Sequence, residues 1–303
     1  MAILPMLVTT HKNDRERAAP RIGLALSGGG ARGFAHLGAL RVFERAGIKF
    51  DAISGTSIGA LLGAGYCSGI RPCEMIEITK SELMPARRWP GSNFWHLRRL
   101  VRNGLIRAQL ERRFSSFPFL RHLPQPLYLV STDLATGQPY IHEGNDETIP
   151  SVLASLTVPG VAPPVRYRNK LLVDGGVVMN LPGKVLRRYG IDFVVAIDVC
   201  SYTNRPQSKP FEGNRLAALW RTWQARRYQA RTLQDYAVDL HIRPEISQIG
   251  PLDFHCIDGL ITAGEEAARA ALPRLLSLFH GRSVEHYLTI QRPLHRFEPF
   301  CAA

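Results

Sequence analysis

A chain of 303 residues that is 45% hydrophobic and 21% charged can bury a sizeable core and fits one large domain or two ordinary ones. Its net charge of +13 comes from 38 basic residues, 32 Arg and six Lys, against 25 acids. That balance suits anionic partners, phospholipid surfaces or nucleic acid, or reflects a bias toward Arg codons. No run of 18 apolar residues occurs, so no transmembrane helix is expected, and cysteines 67, 73, 200, 256 and 301 form no C-x-x-C pair that would indicate a zinc site or a disulfide framework.

Residues 1–20, "MAILPMLVTTHKNDRERAAP", start apolar but soon become charged, and no positive region precedes the short apolar stretch. They read as an N-terminal tail rather than a signal peptide. The expectation is a reduced, cytoplasmic protein that touches the inner face of the membrane at most peripherally. "RIGLALS" (21–27) predicts a buried strand, and "GGGARG" (28–33) a turn after it. In "FAHLGALRVFERAG" (34–47), Leu37, Leu40, Phe43 and Ala46 fall at helical spacing, with Gly47 as the stop. "KFDAISG" (49–55) predicts a second strand, and "SIGALLGAGYCSG" (57–69) a closely packed helix of small and apolar residues. Strand, turn, helix, strand, helix is a βαβα start, which implies a parallel sheet with a right-handed crossover. Further strands are predicted at 126–132, 170–174, 192–199 and 238–243, with helices between them; 85–104 and 201–214 read as insertions.

The loop "GGGARG" fits G-x-G-x-x-G between a strand and a helix, the dinucleotide pattern. That pattern wants an acid at the end of the next strand; Asp51 stands at the start of it, and Gly55-Thr56-Ser57 occupies the end. The glycines serve equally to turn backbone N–H groups toward an oxyanion. Gly55, Thr56, Ser57, Ile58 and Gly59 form G-x-S-x-G on a strand-to-helix turn, the setting of a nucleophile elbow. A buried serine bonded to its own helix gives the same letters. The base is open on the residues alone. Ser57, Asp174 and His241 or His255 have the chain order of an α/β-hydrolase triad, although such an elbow usually follows more than two strands. Asp174 itself ends a strand and is followed by Gly175 and Gly176, which leave room for another segment to pack on its carboxylate; D-G is also an ordinary turn pair.

"GGGARG", "GTSIG" and "DGG" in this order resemble the patatin-like phospholipases, particularly the compact bacterial members. The resemblance runs from about 22 to 200, with "STDLATGQPYIHEG" (131–144) and "ASLTVPGVAPPV" (154–165) as connecting segments and a weaker echo in "AVDLHIRP". It implies a three-layer α/β/α fold with a central, mostly parallel sheet. It also implies a Ser–Asp dyad without histidine: Ser57 as nucleophile, Asp174 as general base. The oxyanion hole would come from the loop Gly28, Gly29, Gly30, Arg32 and Gly33, with backbone N–H groups of Gly29, Gly30 and Arg32 as donors. Gly55, Gly59, Gly175 and Gly176 complete the motifs. A carboxylate at its ordinary pKa of about 3.9 is a poor base at neutral pH, so Asp174 is expected to be buried against Ser57. "SLTVPG" departs from the smaller, Ala-containing run expected there, which bears on the pocket wall and substrate size.

Two stretches rich in Arg and aromatics, 87–113 and 215–231, suit contact with an anionic bilayer, a mobile lid, or helices packing aromatics on the core. The combined expectation is an acyl hydrolase domain over 21–280 with a C-terminal tail, 281–303, cleaving carboxylic esters of lipids and phospholipids without cofactor or metal. Open beside it stand a short-chain esterase or thioesterase on the same dyad, and a low-turnover protein that binds acyl lipid. No nucleic acid is expected, since no helix-turn-helix or RNA-binding signature occurs.

Overall fold

The computed structural model describes residues 20–87, 105–200 and 237–279. The basic-aromatic stretch 215–231, the insertion 201–214, most of 85–104 and both tails lie outside them. Five parallel strands form the centre of one sheet: β1 (Ile22–Leu26), β2 (Ala52–Thr56), β3 (Leu127–Asp133), β7 (Phe193–Ile197) and β8 (Leu240–Ile242), paired in the order β3-β2-β1-β7-β8. Three antiparallel strands join at β3: β4 (Pro139–His142), β6 (Lys170–Asp174) and, paired to β6, β5 (Val165–Tyr167). The sheet is mostly parallel, as the sequence predicts.

Alternation along the strands sorts the core into two faces. Ile22, Leu24 and Leu26 with Ile53, Val195 and Ile197 face the large helical layer, made of α1 (Phe34–Arg45), α2 (Ile58–Cys67), α3 (Pro72–Arg87), α4 (Leu105–Phe114) and α7 (Ile257–Phe279). Ala25, Ala52, Val194 and Ala196 face a thinner layer around α6 (Gly183–Arg188), through Leu181, Leu186 and Ile191. The result is three layers. α4 occupies the second half of the basic-aromatic stretch 87–113; it buries Leu110 and Phe114 in the core and exposes Arg107 and Arg112. The aromatic residues of that stretch, Trp89, Phe94 and Trp95, lie outside the described residues.

α1 ends as its glycine predicts: Gly47 has φ +67° and its N–H reaches Glu44 O. The longest helix among the described residues, α7, lies on α1 at a crossing with no room for side chains. A Cβ on Gly38 would stand 1.9 Å from Ile261 O, and one on Gly264 would stand 1.9 Å from Ala35 O.

The register around β3 decides where the chemistry sits. β2 pairs with β3 over Leu127–Val130, and β6 pairs with it over Ser131–Asp133. β4 overlaps both ranges. A strand has only two edges, so β2 and β6 share the one that β4 leaves. They approach head-on along it: Thr56, the last residue of β2, opposes Val130, and Asp174, the last residue of β6, opposes Ser131. The two chain ends therefore meet, with Ser57 and Asp174 at the junction.

Candidate active site

Ser57 stands between β2 and α2 with φ 56° and ψ −125°, a left-handed conformation that a non-glycine residue holds at a cost of roughly 1–3 kcal/mol. The turn is tight enough to need its glycines. A Cβ on Gly55 would lie 2.4 Å from Gly59 O, and one on Gly59 would lie 2.4 Å from Leu26 O. The G-x-S-x-G letters thus report a real close approach among β1, β2 and α2.

Ser57 Oγ donates to Asp174 Oδ2 at 2.5 Å. Both residues are buried, at 8% and 1% exposure, as expected for this pair. The other oxygen, Asp174 Oδ1, accepts the Gly176 N–H at 2.7 Å, and the Asp174 backbone is tied down by Thr157 O and by the Thr132 hydroxyl. Gly175 is needed for a different contact: a Cβ there would lie 2.3 Å from Val130 O, so D-G-G lets the turn close on the backbone of β3.

The glycine loop lies beside the serine, since a Cβ on Gly28 would stand 3.0 Å from Ser57 Cβ. Its residues play unequal parts. The Gly28 N–H donates to Asn180 O at 3.1 Å, and Asn180 Nδ2 returns a bond to Gly28 O at 3.2 Å, so Gly28 is a clamped hinge and its N–H is engaged. The Ala31 N–H goes to Pro251 O. Gly29 and Gly30 have no backbone N–H acceptor among the described residues. Gly30 needs its φ of +61°, and a Cβ on it would stand 2.2 Å from Pro251 O. The Arg32 guanidinium is held through Nε on Ile249 O at 2.5 Å. Gly33 permits contact with α2, since a Cβ there would be 2.3 Å from Ile58 Cγ2. Ser57 is also the N-cap residue of α2, whose first turn contains no acid, so the positive end of that helix faces the same spot.

His241, one of the two histidines of the triad alternative, is not brought to Ser57. His241 sits on β8, three strand positions from β2, roughly 14 Å at ordinary strand spacing. Its Nε2 contacts Asp198 Oδ2 at 3.2 Å and its Nδ1 lies 2.9 Å from the Arg243 guanidinium. His255 lies in the short turn before α7. Two other histidines are fully buried. His36 contacts Ser27 O and His142 contacts the Ser131 hydroxyl; burial pushes each down to about 4, so both are neutral at neutral pH.

Two residues the sequence reading passed over hold the site together. Asn180 clamps Gly28. Ser155, on α5 (Thr148–Leu156), accepts the Ser57 N–H at 2.9 Å and donates to Val130 O at 2.7 Å. The Ser57 N–H is thereby committed to Ser155. The available signal was Ser151 and Ser155 one turn apart on an otherwise apolar helix.

Residues 24–186 match the family described as patatin-like phospholipase. The chain belongs to that family. Similar curated members include an uncharacterised NTE family protein of Mycobacterium tuberculosis (strain ATCC 25618 / H37Rv), 30% identical over 284 residues, covering 85% of this chain and 47% of the relative. Another is lysophospholipase NTE1 of Meyerozyma guilliermondii, 29% identical over 225 residues, covering 70% of this chain and 15% of the relative. The chain spans about half the length, or less, of these patatin-like relatives. A solved structure, VipD from Legionella pneumophila, aligns with TM-score 0.49 and 14% identity over 85% of this chain and 67% of that one. Among the described residues no helix is long and apolar enough to cross a membrane.

Proposed function

We propose that the protein is a serine acyl hydrolase that cleaves carboxylic esters of lipids, phospholipids included, through a Ser57–Asp174 dyad and an acyl-enzyme. The observation that carries the reading is the buried 2.5 Å bond from Ser57 Oγ to Asp174 Oδ2 at the start of α2, against the glycine loop. Ser57 Oγ attacks the ester carbonyl carbon while its proton passes to Asp174 Oδ2. The carbonyl oxygen becomes an oxyanion held by the Gly29, Gly30 and Arg32 N–H groups, each such donor worth roughly 3–4 kcal/mol in the transition state. Collapse breaks the bond to the leaving alcohol, which takes the proton from Asp174. Water then attacks the acyl-enzyme with Asp174 as base, releasing the fatty acid and restoring Ser57. No step needs a metal or cofactor. Burial, with one carboxylate oxygen on Gly176 N–H and the other on Ser57, keeps Asp174 aimed at the proton it moves.

In this reading the hydrolase domain runs over 21–280, and the enzyme works in the cytoplasm at the surface of an anionic membrane. Membership of the patatin-like family and the lysophospholipase named among its relatives support lysophospholipids as the first substrates to try. The test is fatty acid release from lysophosphatidylcholine, phosphatidylcholine and a short-chain ester by wild type and Ser57→Ala. Release from the lipids by wild type alone is expected. Turnover of the short-chain ester only would move the reading to an esterase, and no turnover would leave a lipid-binding protein.

A further inference from the structure

Leu134 and Leu171, 50% and 40% exposed, are the large hydrophobic side chains left in solvent among the described residues. They are neighbours. Asp133 pairs with Leu172, so Leu134 opposes Leu171, and the Leu134 N–H donates to Leu171 O at 2.9 Å. On the other side of β6, Leu171 pairs with Arg166 of β5, which is exposed. Residues directly opposite across neighbouring strands share a face. Leu134, Leu171 and Arg166 thus form one row across three strands.

The hairpin beside this row is basic. The β5–β6 hairpin turns through Arg168 and Asn169, both left-handed at φ 45° and 61°, the geometry of a tight two-residue hairpin turn. Its span 165–172 contains Arg166, Arg168 and Lys170 and no acid. Lys170, one position from Leu171, faces the other side of β6, where it meets Asp133 at 2.6 Å, and Arg168 lies over the Tyr167 ring on that same side and meets Asp146 at 3.2 Å, so of the three cations Arg166 is the one that shares the face of the leucines. Single exposed hydrophobic residues are ordinary; an abutting pair beside an exposed cation is the pattern of an interaction site.

Its place in the sheet is directional. Ser131 opposes Asp174, and the row lies three residues farther along β3, about 10 Å past the dyad on the side where the parallel strands end. We propose that the Leu134–Leu171–Arg166 row is a membrane-docking surface that seats the Ser57 edge of the sheet on an anionic bilayer. The leucines enter the boundary between headgroups and acyl chains, and Arg166 beside them meets lipid phosphates. An anionic bilayer fits better than a second copy of this chain: β5 is three residues long and carries exposed Arg166, which blunts strand-edge pairing, and the chain's net charge of +13 repels its own copy. Only the orientation of the dyad rests on the acyl-hydrolase reading.

The test is co-sedimentation of the full chain with vesicles of phosphatidylcholine, with and without phosphatidylglycerol. Wild type and Ser57→Ala should bind the anionic vesicles alike. Leu134→Ser/Leu171→Ser should lower that binding by about tenfold, as loss of two inserted leucines requires, and Arg166→Glu should weaken it for the anionic vesicles alone. All of these except Ser57→Ala should cleave a soluble short-chain ester at the wild-type rate, which shows that they are folded. Unchanged vesicle binding by both row variants would overturn the proposal, as would equal binding of wild type to neutral and anionic vesicles. A drop in oligomeric size on mutating the leucines would assign the row to a second copy and also overturn it. If wild type cleaves no ester while vesicle binding still follows the row, the docking surface stands and the hydrolase reading fails.

Discussion

Ser155→Ala removes one oxygen and breaks two bonds, the tether of the Ser57 N–H and the bond to Val130 O. The Ser57 N–H and Val130 O, 2.9 and 2.7 Å from that hydroxyl, are left without it in a buried site. Each unpaired buried group costs about 1–3 kcal/mol, so a total loss of about 2–6 kcal/mol is expected. For a protein of this size that lowers Tm by roughly 5–20 °C. The kinetic effect is separate. Ser57 holds its left-handed backbone under strain, and without the tether its Oγ no longer keeps a fixed distance to Asp174 Oδ2. We expect kcat to fall by about 10–100-fold with little change in KM, because no group that binds the ground-state substrate is altered. Thermal melts and ester kinetics at a temperature where the variant is fully folded read the two effects. A variant with wild-type Tm and kcat would mean that the elbow is held from within its own turn and that Ser155 is incidental.

Other consequences are equally direct. Gly28→Ala puts a Cβ 2.7 Å from Asn180 Oδ1 and 3.0 Å from Ser57 Cβ; it should cost about 1–3 kcal/mol and slow acylation, measured by melt and by burst kinetics. His241→Gln should leave ester turnover at the wild-type level, since the ring lies on Asp198 three strands from Ser57; a loss of acylation in a folded variant would restore the triad. Stability should fall on acidification between pH 6.5 and about 4. In that window the unfolded chain protonates His36 and His142 while the fold, which holds both near 4 by burial, keeps them neutral. The unfolded state binds more protons there, so unfolding free energy drops with falling pH, by at most roughly 3 kcal/mol per histidine. Denaturant melts across this range check it, and a flat profile would refute it.

The first half of the site was legible because its motifs are steric statements. Gly55 and Gly59 are glycines since carbonyl oxygens stand 2.4 Å from where their Cβ atoms would be, and an apolar run ending in such residues announces a strand that turns sharply. Asp174 was legible as a strand end for the same reason. The head-on meeting of β6 and β2 was not: a five-residue apolar run reads the same in a parallel or an antiparallel strand. β4 and β5 escaped because "PYIH" and "VRY" are too short to show a period. Ser155 and Asn180 act through contacts with residues 98 and 152 positions away along the chain, and no local pattern encodes that. The crossing of α1 and α7 is similar: the glycines are visible, but not which helix each one admits.

The most direct test of the central claim is covalent labelling of the full chain by a fluorophosphonate, comparing wild type with Ser57→Ala, Asp174→Asn and His241→Gln. The account predicts labelling of wild type and His241→Gln, none of Ser57→Ala, and labelling of Asp174→Asn slowed by about 100-fold or more, the usual contribution of a positioned base. Wild-type labelling of Asp174→Asn, with loss in His241→Gln, would contradict it and move the base from the carboxylate to the imidazole.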